Sequence, residues 1–341
     1  MKYVSRRGFV ACVAAAAVAA AGAALPGCGQ DAQSQGTQWL EADPQTANLF
    51  LFDTYISFKL YCSEELMTQV IEKCNYFEAH FSRTIEGSDV WNINNATGAP
   101  TEVAEETADL IAKSLEYCEA SDGLFDITIG AVSSLWDFVE GVRPKDAAIQ
   151  AALPHIDYHG VHVDGTTVTL DDPQAMIDLG GTAKGYIADY LANMLEEAGC
   201  LSGYINLGGN VYVIGSKPDG SDWNVGVEDP NDPSQPVVAA LACAETSVVT
   251  SGLYERQFEE DGVQYYHILD PKTGYPAESD LVAVSVYGPS SLQGDAYATW
   301  MFLLGHDAAL ELAEGSAGVE AMTVDALGNA SQTSGDVFAT R

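Results

Sequence analysis

The sequence predicts an α+β fold in which helices pack on mixed, mainly antiparallel sheets. Segments with helical and with strand periodicity are interleaved along the 341 residues, without the strict strand–helix–strand alternation that a parallel sheet requires. Residues 161–170 form a predicted β-hairpin, because Asp164-Gly165 separates two strand-like runs, and the C-terminal stretch repeats this pattern around Asp325 to Asn329. No repeat of about 20 to 50 residues is visible, which excludes a solenoid.

The first 46 residues predict export and attachment to a membrane. Residues 1–27 combine a charged start, a twin-arginine sequence from Ser5 to Phe9 and an alanine-rich apolar run, as in a Tat-type signal peptide. Leu25 to Cys28 resembles a bacterial lipobox, which predicts cleavage before Cys28 and lipidation of its thiol. A plain transmembrane anchor is the alternative, but the apolar run is short for a membrane span.

We therefore expect a lipid-anchored protein on the extracytoplasmic face of the cell membrane. Residues 28–46 are polar and are predicted to form a flexible tether after the lipidated cysteine. Residues 47–341 are long enough to bury a large core, as one large domain or two closely joined ones.

The net charge limits the choice of partners. The chain has 14 Lys and Arg against 49 Asp and Glu, which gives a formal charge of −35. This balance argues against binding to nucleic acid or to an anionic membrane surface. Any anionic ligand must therefore be met by a few local cations or by a metal ion.

The five cysteines of the predicted mature domain are scattered without CxxC spacing. This pattern argues against a zinc site or a dense disulfide framework, and it predicts small buried side chains with at most one disulfide. These cysteines are Cys62, Cys74, Cys118, Cys200 and Cys243.

The first element of the folded part is a predicted long strand from Asn48 to Cys62. Phe52-Asp53-Thr54 interrupts its apolar alternation. This interruption is either a bulge at a sheet edge or a functional site, and the pattern does not decide between them. Ser63 is the predicted N-cap of the helix that follows.

The stretch from Asp178 to Tyr186 leads from a short apolar run into a helix. Ile187, Leu191 and Leu195 supply the apolar face of that helix, and Gly199 is its expected C-cap. Unpaired N–H groups and the helix dipole make such a start suitable for phosphate. Taken alone, a tight turn with Lys184 on the surface explains the stretch better, because the spacing matches no common phosphate-binding motif.

A second candidate cluster lies more than a hundred residues downstream. Asp295 and Thr299 are four residues apart on a predicted helix, so their oxygens can reach a common point. A carboxylate, a hydroxyl and a backbone carbonyl form an oxygen donor set that suits Mg²⁺. The alternative is an aspartate that stabilises the helix dipole and a threonine that contacts a neighbouring element.

Six short motifs, taken together, resemble the ApbE-type flavin transferases, which are FAD:protein FMN transferases. They occur in the family's order and span nearly all of the predicted mature chain, which makes the resemblance specific although each motif is modest. The matching segments are Gly123 to Asp126, Asp178 to Tyr186, Asn206 to Asn210, Thr250 to Gly252, His267 to Gly274 and Asp295 to Thr299.

The resemblance implies a single large α+β domain of two intimately joined halves and a magnesium-dependent enzyme. Such an enzyme splits FAD, esterifies FMN to a Thr or Ser of an acceptor protein and releases AMP; the expected acceptors are FMN-binding proteins of the cell envelope. By the same resemblance, Mg²⁺ would be held by Gly181, Asp295 and Thr299. The implied FAD contacts are Phe52, Thr84, Leu124, Phe125, Asp126, Asp178, Lys184 and Leu269.

The acceptor hydroxyl must lose a proton, and His267 is the candidate base, with Asp270 as its orienter or as an alternative base. A structural histidine at a strand end remains the alternative.

Two positions depart from the family pattern. The family often has Met-Gly-Thr where this chain has Phe52-Asp53-Thr54, and it commonly has a tyrosine near the position of Thr84. Loss of that ring removes a stacking contact with the nucleotide. Two other activities therefore stay open: a Mg²⁺-dependent FAD pyrophosphatase that forms FMN and AMP, and a non-catalytic FAD-binding lipoprotein.

Overall fold

The computed structural model describes residues 30–228, 237–253 and 256–340. The helices within these ranges are α1 Gln30–Leu40, α2 Glu64–Phe81, α3 Asp89–Asn95, α4 Glu105–Ala120, α5 Gly130–Ser133, α6 Asp146–Ala152, α7 Ala183–Glu197, α8 Ser291–Leu304 and α9 His306–Glu314. The first strands are β1 Gln45–Leu51, β2 Thr54–Leu60, β3 Thr101–Glu102, β4 Val161–Asp164, β5 Thr167–Leu170, β6 Gly203–Leu207, β7 Asn210–Ile214 and β8 Trp223–Val227. The later strands are β9 Ala239–Cys243, β10 Thr246–Gly252, β11 Gln257–Glu260, β12 Val263–Tyr266, β13 Leu281–Gly288, β14 Glu320–Asp325, β15 Ala330–Gln332 and β16 Ala339–Thr340.

The main sheet has eight antiparallel strands in the order β1-β2-β6-β7-β10-β13-β14-β15. Three smaller antiparallel sheets are also present: β3-β5-β4, β16-β9-β8 and β11-β12. The α+β prediction with mainly antiparallel sheets is therefore confirmed, as are the hairpins at 161–170 and at the C-terminus.

The main sheet is covered on both faces. On β10, Val249 packs in a cluster with α8 and α9, whereas the adjacent Val248 packs in a second cluster that includes the small sheet β16-β9-β8. Consecutive side chains of a strand point to opposite faces, so the sheet has a separate apolar layer on each face. Helices α2 and α7 pack over the β2 and β6 end of the sheet.

The predicted strand from Asn48 to Cys62 is two strands joined by a tight turn, so the prediction of a single interrupted strand is wrong. Leu51 pairs with Thr54, and Phe52 and Asp53 between them both have φ of 56°. Two consecutive positive φ values are the signature of a type I′ hairpin turn, which matches the twist of the flanking strands. The backbone N–H of Phe52 donates to Oε1 of Glu78 at 2.9 Å, which ties this turn to α2.

Most of the predicted tether from 28 to 46 has regular structure where it is described. Residues Gln30–Leu40 form α1, and β1 already begins at Gln45. Trp39 packs on the main core, and Gly36 is buried where a Cβ would collide with the carbonyl oxygen of Gly199. Long-range packing therefore overrides a local composition that favours a flexible chain.

The predicted signal peptide and lipidated Cys28 lie outside the described residues. Across the described ranges, no helix is both long and apolar enough to cross a membrane. The cysteines at 62, 74, 118, 200 and 243 are all buried free thiols, which confirms the prediction of small core side chains.

Helices α7 and α8 meet at their first turns. A Cβ on Gly185 would collide with the carbonyl oxygen of Ser291, so only glycine allows this approach. Oδ2 of Asp295, on α8, accepts a hydrogen bond from the N–H of Gly185 at 2.9 Å. In return, Asp189 on α7 accepts from the N–H of Ser291 at 2.7 Å and of Leu292 at 3.0 Å. Each helix thus supplies a carboxylate to the unpaired N–H groups at the start of the other.

We expect Gly185→Ala to lower the free energy of unfolding by about 1–3 kcal/mol, because the added methyl group must push the two helices apart. Chemical denaturation measures this change. Gly315→Ala is the matched control, since Gly315 has φ of −77° and its added Cβ would lie 3.4 Å from the nearest atom. Equal losses in the two variants would contradict a steric role for Gly185.

Candidate active site

Asp178 begins the turn that leads into α7, and three groups bind its carboxylate. Arg83 Nε lies 3.1 Å from Oδ2, Ser133 Oγ donates to Oδ2 at 2.7 Å, and the N–H of Gly180 donates to Oδ1 at 3.0 Å. Burial opposes ionisation of Asp178, but these partners outweigh it and hold the pKa of the carboxyl below its usual value. Asp178 is therefore an ionised residue at the edge of the site.

The backbone on either side of Asp178 is held by side chains from other helices. Nδ2 of Asn94 donates to the carbonyl of Ile177 at 2.8 Å, and its Oδ1 accepts from the Ile177 N–H at 2.6 Å. Further along, the hydroxyls of Thr182 and Ser114 are hydrogen-bonded at 2.9 Å. These contacts tie the turn to α3 and α4.

The three predicted metal ligands, Gly181, Asp295 and Thr299, lie together at the start of α7. Oγ1 of Thr299 is 3.5 Å from the position that a Cβ on Gly181 would take, and that Cβ would also lie 2.9 Å from the ring of Phe125. Asp295 is only 2 % exposed. Its Oδ1 is 3.6 Å from Nζ of Lys184, which also donates to the carbonyl of Gly180 at 3.4 Å.

This donor set fits Mg²⁺ better than a softer metal. One carboxylate, one hydroxyl and one carbonyl are hard oxygen donors, and Mg²⁺ typically takes one or two carboxylates and completes its shell with water and substrate phosphates. Among the described residues, no group of three or more His, Cys, Asp or Glu side chains could hold a metal ion. A cation at Asp295 would therefore need oxygens from a ligand as well as from the protein.

Phe125 and Asp126 are positioned by an internal hydrogen-bond network. The N–H of Phe125 donates to Ser121 Oγ at 3.0 Å, and Oδ1 of Asp126 accepts from the N–H and the hydroxyl of Thr128 at 2.7 and 2.6 Å. Burial raises the pKa of Asp126. The Asp126 carboxylate is occupied by these hydrogen bonds within the protein, so an FAD contact at this residue would come from its backbone. Leu124, beside it, is half-buried.

His267 follows β12, and its N–H donates to the carbonyl of Arg256, just before β11, at 3.2 Å. Its ring is largely buried, and Nδ1 has no hydrogen-bond partner among the described residues. Burial, with the positive charges of Arg256 and Lys184, lowers the pKa of His267 to about 4. The imidazole is therefore neutral at pH 7.

Asp270 does not orient His267. Its Oδ1 accepts from the N–H of Lys272 at 2.8 Å and its carbonyl accepts from the N–H of Gly274 at 2.7 Å. Asp270 thus stabilises the turn that follows β12. The side chain of Leu269 is buried with Val132 and other apolar residues, which leaves its backbone for any ligand contact.

The remaining motifs lie at one end of the main sheet. A Cβ on Gly208 would collide with the side chain of Thr54, so the β6–β7 turn packs directly on the β1–β2 turn. The N–H of Thr250, near the end of β10, donates to the carbonyl of Gly209 at 3.2 Å. Nη2 of Arg256 reaches the carbonyls of Phe52 and Asp53, both at 3.5 Å.

Thr84 is exposed on the loop after α2, with its hydroxyl 3.2 Å from Ser82 Oγ. Arg83 beside it binds Asp178, which joins the loop to the site. Sequence reasoning gave no role to Arg83, Ser133 or Arg256. The two arginines could have been noticed in the sequence because cationic residues are rare: the chain has only 14 Lys and Arg.

The start of α7, with Lys184 and an oxygen donor set beside it, is the kind of site that suits a phosphorylated ligand in an α+β protein. Sequence comparison identifies the family. Residues 52–323 match the profile of the ApbE family, and the chain belongs to that family.

Two curated relatives illustrate the similarity. The FAD:protein FMN transferase of Klebsiella pneumoniae (strain 342) is 36% identical over 75% of this chain and 81% of its own length. The FAD:protein FMN transferase of Treponema pallidum (strain Nichols) is 35% identical over 67% of this chain and 68% of its own length.

Solved structures agree with this assignment. The ApbE protein of Thermotoga maritima MSB8 superposes with a TM-score of 0.79 at 31% identity, over 86% of this chain and 98% of that one. The apo form of the flavinyl transferase ApbE of Pseudomonas stutzeri gives 0.75 at 28% identity, over 86% and 95%. The predictions of the ApbE family and of one large α+β domain are confirmed.

The depressed pKa of Asp178 predicts a pH-dependent effect of Asp178→Asn. A carboxyl whose pKa is lower in the folded state stabilises the fold above its unfolded pKa of about 3.9 and loses this effect as the pH falls through the folded value. We expect Asp178→Asn to cost about 1–3 kcal/mol at pH 7 and progressively less below about pH 4. Urea unfolding across this range measures the difference.

Arg83→Gln is the partner variant, and the double variant should lose little more than either single one, because both remove the same ion pair. A cost for Asp178→Asn that stays constant from pH 7 to pH 3 would contradict this account.

Proposed function

We propose that this chain transfers FMN from FAD to a Thr or Ser hydroxyl of an acceptor protein. The observation that carries the proposal is the meeting of Lys184 with Gly181, Asp295 and Thr299 at a helix start, in a chain of the ApbE family. In a protein of charge −35, a pyrophosphate needs local positive charge, which Lys184 and a cation held by the oxygen donors would supply at this helix start.

The proposed reaction exchanges a phosphoanhydride bond of FAD for a phosphoester bond to the acceptor. The acceptor oxygen forms a bond to the phosphorus on the riboflavin side of FAD, and the bond from that phosphorus to the bridging oxygen breaks. The bridging oxygen keeps the electron pair and leaves with AMP, while the acceptor hydroxyl gives up its proton. Such a transfer depends mainly on positioning and on neutralising phosphate charge.

Lys184 and the N–H groups at the start of α7 would bind the pyrophosphate oxygens. Mg²⁺, held by Asp295, Thr299 and the Gly181 carbonyl, would neutralise further charge on those oxygens. His267 would take the acceptor proton, since it is neutral and has an unpartnered ring nitrogen. A bound pyrophosphate offsets the charge of Lys184 and so raises the proton affinity of His267 towards the working range of a general base.

A second activity, FAD pyrophosphatase, is favoured by one observation. Thr84 is exposed and offers no aromatic ring to cover the nucleotide. Water could then replace the acceptor hydroxyl, and the products would be FMN and AMP. A non-catalytic FAD-binding protein is the third possibility and predicts no AMP at all.

The proposed place of action is the extracytoplasmic face of the cell membrane, through a lipid on Cys28. The N-terminal sequence supports this placement, and the acceptors would be envelope proteins that carry covalent FMN. Fractionation of cells that express the full chain tests it, because recovery only in the soluble cytoplasmic fraction would contradict it.

The direct test of the proposed function is incubation with FAD, Mg²⁺ and an FMN-acceptor protein, followed by mass spectrometry of the acceptor. We expect an added FMN with the unmodified chain and loss of Mg²⁺-dependent transfer with Asp295→Asn. Asparagine keeps an oxygen acceptor for the N–H of Gly185 but removes the charge, so the helix contact survives. FMN and AMP without any modified acceptor would instead establish the pyrophosphatase.

His267→Gln separates proton transfer from binding. We expect transfer to slow by about 10²–10⁴-fold, the usual contribution of a general base, while FAD affinity changes little. Stopped assays give the rate, and quenching of flavin fluorescence gives the affinity. Parallel losses of rate and affinity would indicate a structural histidine.

A further inference from the structure

Arg256 differs from the other cations near the site in its partners. Arg83 is paired with Asp178 and Lys184 with Asp295. Arg256 makes no ion pair with any carboxylate of the described residues, although acidic residues outnumber basic ones by 49 to 14. An arginine that stays unpaired in such a protein is available to an anion from outside the chain.

The position of Arg256 places it beside the reacting groups. It directly precedes β11, and its carbonyl accepts the N–H of His267, which directly follows β12. Its positive charge contributes to lowering the pKa of both His267 and Asp178, so Arg256 lies close enough to interact electrostatically with each of them. The short β11–β12 hairpin therefore brings Arg256 and His267 together.

The hydrogen bonds that the Arg256 side chain makes to other described residues are weak. Nη2 lies 3.5 Å from the carbonyl oxygens of both Phe52 and Asp53, at the long limit of a hydrogen bond. Arg256 therefore lies between the β1–β2 turn and His267. A phosphate oxygen would offer its guanidinium a shorter, charge-assisted bond in place of these two contacts.

We propose that Arg256 binds the pyrophosphate of FAD as a positioning residue, an inference that rests on the proposed function. The planar guanidinium can bind two phosphate oxygens at once, which fixes orientation as well as charge. It would also link ligand binding to proton transfer, because phosphate bound to Arg256 offsets the positive charge next to His267. The lowered pKa of His267 supports this link.

The test compares the affinity for FAD with that for riboflavin, which has the same ring system but no phosphate. We expect Arg256→Gln to weaken FAD binding by about 10- to 100-fold, the loss of one or two charge-assisted hydrogen bonds, and to leave riboflavin binding unchanged. Inorganic pyrophosphate should compete with FAD in the unmodified chain and much less in this variant. Arg256→Lys should recover only part of the affinity, because an ammonium lacks the fork geometry.

Arg143→Gln is the matched control. Arg143 pairs with Asp146 and lies over the rings of Tyr265 and Tyr275, so its loss should leave FAD affinity unchanged. A second readout is the pH profile of transfer, whose basic-group pKa should rise in Arg256→Gln, because a cation beside His267 is gone.

The outcomes distinguish this inference from the proposed function. Unchanged FAD affinity in Arg256→Gln, or equal losses for FAD and riboflavin, would overturn the phosphate-binding role. Phosphate-dependent loss of FAD affinity without any transfer by the unmodified chain would overturn the proposed function and leave the role of Arg256 standing. Failure of the unmodified chain to bind FAD would overturn both.

Discussion

The candidate site depends on the contact between α7 and α8 at Gly185. One oxygen of Asp295 binds the N–H of Gly185 across 110 residues of sequence, and the other faces Lys184. The bond that joins the helices therefore also positions the carboxylate proposed to hold the metal. Because Asp189 makes the reciprocal bonds to α8, the two helix starts are held in one relative position, and Thr299 is kept next to Gly181. The same hydrogen bonds between α7 and α8 therefore stabilise the fold and position the site residues.

Local sequence was sufficient where the structure depends on local chemistry. The apolar spacing of Ile187, Leu191 and Leu195 gave the buried face of α7, and Gly199 ends the helix with φ of 87°. The grouping of Asp295 with Gly181 could not be read from periodicity. This grouping was inferred from the order of the six motifs, because only the family resemblance relates segments that lie so far apart in the chain.

Sequence reasoning failed where distant packing decides the outcome. Residues Gln30–Leu40 look polar and flexible, yet Trp39 and the close contact of Gly36 hold them as a helix. Phe52-Asp53 lacks the Asn-Gly or Asp-Gly signature of a type I′ turn, so the hairpin was missed. The paired hydrogen bonds of Asn94 to Ile177 join segments that are 83 residues apart and become visible only in three dimensions.

The aspartates of two family motifs show why a motif alone does not assign chemistry. Asp126 is enclosed by Thr128 and burial raises its pKa, whereas Asp178 is bound by Arg83 and stays ionised. His267 differs from both aspartates. A buried ring nitrogen without a partner costs about 1–3 kcal/mol, and Nδ1 of His267 has no partner among the residues that the structure describes. Such a cost is expected where a ligand completes the hydrogen bonding. The unpartnered nitrogen of His267 is therefore a physical feature, separate from its place in the motif, that supports the proposed role of this residue as the base.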